Sequence, residues 1–171
     1  MEIDKQLSIM LSVDENGGFS KNGKIPWYSE NYMEFLDTLT DKENTACVMG
    51  RNTYNTFLEE DSKYFDIFSN KDIFVVSSTE SFNPAHGTKV SNLHQAQLLN
   101  QHNSKKVVVL GGRRLFIEAL SHKPLILMGI MKKQFHQCDN NFNIEVLTPD
   151  KYKIAHGDDL DDCRLLIYEP A

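Results

Sequence analysis

Apolar runs separated by short polar segments divide the chain into alternating strands and helices. The run Leu7–Val13 predicts a buried first strand, and shorter apolar runs predict strands at 46–49, 73–76, 107–110 and from Leu125 onward. Helical spacing is found at 51–57, 93–100 and 114–120. Two last strands, near 152–155 and 165–168, are expected to form a hairpin joined by an acidic, solvated turn at 158–162. This alternation is typical of an α/β layered domain.

The segment after the first strand predicts a loop followed by a capped helix. Gly17-Gly18 and Asn22-Gly23 make the loop long and mobile. Ser29 is expected to cap a helix that runs to about Leu39, because a serine oxygen can accept from the free N–H groups of the first turn.

Composition narrows the class of protein. The 171 residues suit one domain over 1–171, and 40% hydrophobic with 25% charged residues is ordinary for a globular chain. A net charge of −6 argues against a nucleic-acid partner. We expect no signal peptide and no membrane segment, and hence a cytoplasmic location. We also expect a monomer with a small-molecule substrate. Cys47, Cys138 and Cys163 lack metal-ligand spacing and are expected to be free thiols, with no metal site.

Three short motifs at predicted strand ends could bind phosphate. Gly50-Arg51-Asn52-Thr53 opens a helix, where N–H groups attract anions and Arg51 adds a charge-assisted hydrogen bond. Ser77 and Ser78 follow a strand and offer hydroxyls. Leu110-Gly111-Gly112-Arg113-Arg114 joins a strand to a helix, and its glycines permit close approach of a dinucleotide. Each motif alone is ambiguous, but ligands of open α/β sheets bind at such strand ends.

The order of these motifs resembles the dihydrofolate reductase family over most of the chain. The resemblance also includes Ile25-Pro26-Trp27 after the glycine-rich loop, and Asp139 and Phe142, which match a loop that packs on it. It implies a three-layer α/β fold with a mixed, mostly parallel central sheet, flanking helices and an antiparallel C-terminal strand. The implied activity is NADPH-dependent reduction of 7,8-dihydrofolate to tetrahydrofolate, a step of one-carbon metabolism.

The resemblance also assigns site residues. Gly50–Thr53 and Arg114 would hold NADPH phosphates, with Arg51, Ser77 and Ser78 around the 2′-phosphate. Gly111 and Gly112 would form the family's cis peptide turn against the cofactor. Further expected cofactor contacts are Met10, Arg113 and Leu115. Trp27 would border the reaction site, and the expected substrate contacts are Ser8, Ile9, Asn31, Phe35, Lys71, Leu110 and Met128.

The substrate half departs from the family pattern. The family places a carboxylate one helical turn before a pocket Phe, and counting back from Phe35 gives Asn31, an amide. Glu30 is adjacent but about 100° around the helix. Either Glu30 turns inward as the catalytic acid or the acid is absent, and the one-turn spacing favours Asn31 in its place. Met128 replaces a Thr, Ser8 an apolar residue, and Lys71 a bidentate Arg.

Two alternatives therefore stay beside dihydrofolate reduction. One is an NADPH-dependent reductase of another pterin or of a pyrimidine heterocycle, which the changed pocket favours and Pro26-Trp27 disfavours. The other is a non-catalytic nucleotide-binding or structural protein that retains the fold. Retention of Arg51, Ser77, Ser78, Gly111 and Gly112 disfavours that alternative.

Overall fold

Strands and helices alternate along the chain in the computed structural model, which describes residues 7–59, 61–101, 103, 105–132 and 138–171. The strands are β1 (Leu7–Val13), β2 (Gly18–Ser20), β3 (Thr45–Gly50), β4 (Ile73–Val76), β5 (Thr88–Val90), β6 (Lys106–Gly111), β7 (Leu125–Met131), β8 (Asn140–Asn141), β9 (Tyr152–Asp159) and β10 (Cys163–Pro170). The helices are α1 (Glu30–Leu39), α2 (Arg51–Phe57), α3 (Lys63–Phe68), α4 (Leu93–Asn100) and α5 (Arg113–Leu120), with a 3-10 turn at Ile144–Leu147. The first six residues of the predicted 1–171 domain lie outside the described ranges.

Eight strands form one sheet in the order β5-β4-β3-β6-β1-β7-β10-β9. β1 lies between β6 and β7 and is parallel to both, and β3, β4 and β5 continue the parallel part. β10 is antiparallel to both β7 and β9. The predicted mixed, mostly parallel sheet with an antiparallel C-terminal strand is confirmed.

Helices cover both faces of the sheet and make three layers. On one face, Ile9 and Val13 of β1 share a core with Ala96 of α4 and with Leu115 and Phe116 of α5. The other face carries a second core, in which Met10 packs among residues of α1, α2 and α3. Because alternate β1 side chains enter opposite cores, the strand is buried throughout, as its continuous apolar run predicts.

Most predicted elements are confirmed, and the bounds of β1, α2 and α4 agree with the prediction. The sequence prediction missed β2, α3, β5 and β8, which have two to six residues each and carry too few positions for a periodic signal. The predicted turn at 158–162 began two residues too early, because Asp158 and Asp159 belong to β9. Cys47, Cys138 and Cys163 are free thiols, as expected.

Candidate functional site

A cavity of about 600 Å³ opens where β3, β4 and β6 end and α2 and α5 begin. All of the predicted cofactor residues except Ser77 and Ser78 line this cavity. The predicted residues in the lining are Met10, Gly50, Arg51, Asn52, Thr53, Gly111, Gly112, Arg113, Arg114 and Leu115. The fold therefore brings together two motifs that stand about sixty residues apart in the chain, because parallel strands end at the same edge of the sheet.

Two helix starts in the cavity leave backbone donors for a ligand. Gly50 precedes α2 and Gly112 precedes α5, and neither provides a side-chain cap. The first N–H groups of a helix have no partner within it, and they attract phosphate. Arg51, Arg113 and Arg114 add positive charge at these two starts.

The Gly111–Gly112 peptide is cis, as the resemblance implies. Gly111 has φ +135°, and a Cβ there would lie 2.9 Å from Thr53 Oγ1, so only glycine suits this position. A Cβ on Gly50 would come 3.5 Å from the Gly112 nitrogen. The backbones of the two segments at Gly50 and Gly112 therefore lie close together, and they form a wall without side chains that suits a dinucleotide.

The predicted contact of Ser77 and Ser78 with the 2′-phosphate stays a prediction. Ser77 and Ser78 lie outside the cavity lining, and Ser77 Oγ accepts from the Thr79 N–H at 3.2 Å. Ser91 and Asn92, which follow β5, line the cavity instead. The sequence prediction missed both residues because it missed β5. Arg51 lies with its guanidinium carbon 4.6 Å above the centre of the Phe82 ring, which orients it by a cation–π contact.

At the other end of the cavity, α1 presents Tyr32 and Leu36 rather than Asn31 and Phe35. Tyr32 and Leu36 have the same one-turn spacing as the predicted Asn31 and Phe35, displaced by one position along the helix. Ser29 caps the helix, with its oxygen 3.1 Å from the Tyr32 nitrogen. This cap sets the helical phase, so positions 32 and 36 share the cavity face.

Neither proposed acid lies in the lining. Glu30 is exposed to solvent. Asn31 Nδ2 donates to Asp162 Oδ1 at 2.9 Å and to Asp161 Oδ1 at 3.2 Å, in the turn between β9 and β10. Its amide thus joins α1 to the C-terminal hairpin. Glu30 and Asn31 are thus not among the residues that line the cavity, and the expectation that one of them serves the reaction stays a prediction.

Most of the other expected substrate contacts also lie elsewhere. Ser8 and Ile9 are buried in β1, outside the lining, and Phe35 is half-buried beside Tyr32. Lys71 binds Asp37 on α1, with its Nζ 2.7 Å from Oδ1. Of the expected substrate contacts, Leu110 alone lines the cavity.

Met128 belongs to the opposite face of the sheet. It is fully buried in the core of α4 and α5, because it pairs with Leu11, whose side chain enters the same core. Its neighbour Gly129 pairs with Ser12 and lies against Tyr32. The β7 residue that lies behind the Tyr32 side chain is therefore Gly129.

Trp27 approaches the cavity through Ser12. Its indole Nε1 donates to Ser12 Oγ at 3.0 Å, and Ser12 is a buried lining residue. Trp27 itself packs against the core that contains α1. It therefore fixes the orientation of a hydroxyl in the cavity wall.

Aromatic and hydroxyl groups dominate this end of the cavity. Tyr32, Phe57 and Tyr64 line it, and the Phe57 and Tyr64 rings stack at 4.4 Å. Burial raises the pKa of Tyr32 and of Tyr64 well above the usual tyrosine range, so both hydroxyls stay protonated at neutral pH. Among the described lining residues, Glu118 on α5 is the one carboxylate.

The glycine-rich loop after β1 forms part of the cavity wall and is held by the chain near β8. Phe19, Gly23 and Ile25 line the cavity. Asp139 Oδ2 accepts from the Asn22 N–H at 2.9 Å, and the Phe142 N–H donates to the Gly17 carbonyl at 2.8 Å. The predicted packing of Asp139 and Phe142 on this loop is confirmed.

The described residues contain no group of three or more His, Cys, Asp or Glu side chains placed to hold a metal ion. No helix in the same ranges is long and apolar enough to cross a bilayer.

Glycines and arginines gathered at the carboxyl ends of parallel strands define an α/β protein of the ligand-binding, open-sheet class. The sequence profile of dihydrofolate reductase matches residues 6–163. The chain belongs to the dihydrofolate reductase family.

Individual relatives agree with this membership. The dihydrofolate reductase of Ureaplasma parvum is 27% identical over 137 residues, which are 76% of this chain and 81% of that protein. The Schistosoma mansoni dihydrofolate reductase is 36% identical over 124 residues, or 67% of this chain and 64% of that protein.

Solved structures show the same fold. The Schistosoma mansoni dihydrofolate reductase superposes with a TM-score of 0.74 at 27% identity, covering 96% of this chain and 98% of that one. An Enterococcus faecalis dihydrofolate reductase complexed with NADP(H) and RAB-propyl has a TM-score of 0.72 at 16% identity, with 96% and 95% coverage.

Proposed function

We propose that this protein is an NADPH-dependent oxidoreductase that reduces a C=N bond in a planar heterocycle, with 7,8-dihydrofolate as the leading substrate. The observation that carries the proposal is one continuous cavity with two chemically different ends. Arginines and glycines line one end, and Tyr32, Phe57 and Tyr64 line the other. We further propose that it acts on these small molecules as a cytoplasmic monomer.

The phosphate end fits NADPH. Gly50–Thr53 and Gly112–Arg114 would hold the phosphates through backbone N–H groups and guanidinium groups, and Arg51 would favour a cofactor with a 2′-phosphate. When bound, NADPH supplies a hydride to the substrate carbon. Gly111 would let the cofactor pass close to the backbone, since no side chain projects there.

The chain's own residues would orient the substrate and exclude water. Tyr32 and Leu36 form the wall on α1, and Phe57 and Tyr64, which stack on each other, add aromatic surface for contact with a heterocycle. Phe19 and Ile25, in the loop after β1, would shield the reacting atoms from solvent. Holding the two reactants together in this way lowers the barrier through proximity.

A second candidate is the reduction of another pterin or of a pyrimidine heterocycle. The absence of a carboxylate from the described lining at the tyrosine end favours the pyrimidine within this candidate, because the amidine edge of any pterin, dihydrofolate included, pairs best with a carboxylate. Lys71 also favours this candidate, because its ammonium group binds Asp37 and is not left for a substrate carboxylate.

The test is NADPH oxidation followed by absorbance, with 7,8-dihydrofolate, a dihydropterin without the glutamate tail, and a pyrimidine amino-ketone compared at equal concentration. Turnover of dihydrofolate well above the rate without substrate supports the leading proposal. Turnover of either other compound alone supports the second candidate. NADPH binding without turnover of any of them contradicts both.

A further inference from the structure

The hydroxyl of Tyr32 is an unused hydrogen-bonding group at the substrate end of the cavity. The residue is 4% exposed, and among the described residues its hydroxyl has no hydrogen-bond partner in the protein. The hydroxyl oxygen is nevertheless not fully buried. Among the described residues, the one side-chain atom that is both fully buried and without a hydrogen-bond partner is Asn100 Oδ1. A buried hydroxyl without a partner costs free energy unless a ligand or water satisfies it.

The surroundings of Tyr32 hold its ring in one place. Gly129 leaves the gap that the ring fills, since a Cβ there would be 2.5 Å from Tyr32 Cδ1. Leu36, one turn further along α1, continues the same wall, and the Ser29 cap fixes the start of the helix. Tyr32 is thus held in a fixed position in the cavity wall, as a residue for substrate recognition should be.

The protonation state of this hydroxyl determines what it can recognise. Burial is the largest cause that raises the pKa of Tyr32, and the nearby Tyr64 and Cys163 raise it further. The group therefore remains a neutral donor and acceptor over the physiological pH range. It offers no negative charge to compensate a cationic ligand.

We propose that the Tyr32 hydroxyl hydrogen-bonds the substrate ring and that the site selects uncharged heterocycles over cationic ones. This inference rests on the proposed function, because it takes the aromatic end of the cavity as the substrate end. A protonated amidine placed there would lose its hydration without gaining a carboxylate partner. A neutral ring with an acceptor atom loses much less and gains the tyrosine hydrogen bond.

The reduction remains balanced with Tyr32 in this role. The substrate C=N carbon gains the hydride as NADPH becomes NADP⁺, and the ring nitrogen gains one proton. Tyr32 keeps its own proton, which its environment holds firmly, and the added proton comes from water. Tyr32 is therefore a substrate-binding residue, and it is not the acid of the reaction.

The experiment measures equilibrium binding of two probes to the NADPH-loaded protein, together with turnover. One probe is 7,8-dihydrofolate, and the other is a 2,4-diaminopyrimidine at a pH where its ring is a cation. Tyr32→Phe removes the hydroxyl and keeps the ring, and Tyr32→Asp introduces a carboxylate. Tyr28→Phe is the matched control, because Tyr28 is an exposed tyrosine just before α1 and outside the cavity lining.

We expect Tyr32→Phe to weaken dihydrofolate binding about 2- to 10-fold, the value of one neutral hydrogen bond. Its affinity for the cation should be unchanged. Tyr32→Asp should bind the cation at least about 10-fold more tightly than the wild type. Tyr28→Phe should match the wild type for both probes, and thermal melting confirms that each variant is folded.

Equal dihydrofolate affinity in the wild type and Tyr32→Phe would overturn the inference. If both still turn over dihydrofolate, the proposed function survives that result. Weaker binding in Tyr32→Phe without turnover in any variant supports the inference and contradicts the proposed function. Failure of the wild type to bind either probe contradicts both. If Tyr32→Asp does not fold, the Phe variant and its control still decide the question.

Discussion

Gly129 of β7 lies against the ring of Tyr32, and a Cβ at Gly129 would stand 2.5 Å from Tyr32 Cδ1. We therefore expect Gly129→Ala to destabilise the protein by about 1–3 kcal/mol, the usual cost of overpacking a core. Urea unfolding measures this cost. Combined with Tyr32→Ala, which empties the gap, the same substitution should cost much less, whereas additive losses would contradict the contact.

The two glycines of the cis peptide should tolerate alanine differently. Gly111 has φ +135° and its Cβ would be 2.9 Å from Thr53 Oγ1, so Gly111→Ala should lose about 1–3 kcal/mol of stability. A Cβ on Gly112 would be 3.8 Å from that oxygen, an ordinary contact, and Gly112→Ala should fold nearly as well as the wild type. Urea unfolding of both variants compares them, and equal losses would contradict the difference.

Arg51 should discriminate between cofactors. Arg51→Ala is expected to weaken the binding of NADPH by about 1–3 kcal/mol and the binding of NADH much less, because only NADPH carries the additional phosphate. Calorimetric titration with both cofactors measures the difference. Arg164→Ala removes the same charge from β10, outside the cavity lining, and should change neither affinity. Equal losses for both cofactors would show that Arg51 does not contact that phosphate.

The Asp139 carboxylate should control the loop after β1. It accepts from the Asn22 N–H, so Asp139→Ala should raise hydrogen exchange across 17–23 and weaken NADPH binding. Added NADPH should increase the protection of this loop from hydrogen exchange in the wild type, since the loop lines the cavity. Asp158→Ala, on the edge strand β9, serves as the control. Unchanged exchange in Asp139→Ala would contradict this role.

The contact between Asn31 and Asp162 predicts a pH-dependent stability. The Asn31 amide, followed by Ser29, lowers the pKa of the Asp162 carboxyl below its usual value of about 3.9. The resulting stabilisation is present above that value and is lost as the pH falls through the lower, folded-state pKa. Asn31→Ala should thus cost about 0.5–1.5 kcal/mol near neutral pH and much less at a pH below the folded-state pKa of Asp162. Equal costs at both pH values in urea unfolding would contradict this origin.

The sequence by itself determined the order of the longer strands and helices and the sheet edge at which the glycine and arginine motifs lie. Long apolar runs such as Leu7–Val13 predict buried strands, and the motifs around Gly50 and Gly111 follow such strands, so parallel pairing brings them to one edge. These features depend on local patterns of apolar residues, whereas the short elements β2, α3, β5 and β8 carry too few positions for such a pattern.

Only the tertiary structure decided which α1 residues enter the cavity. Asn31, Tyr32 and Phe35 are all compatible with an amphipathic helix, and a shift of one residue rotates the face by about 100°. The Ser29 cap, the gap at Gly129 and the two aspartates that bind Asn31 together select Tyr32. These partners stand about 100 or more residues away in sequence, apart from the cap, and no periodicity near α1 encodes them.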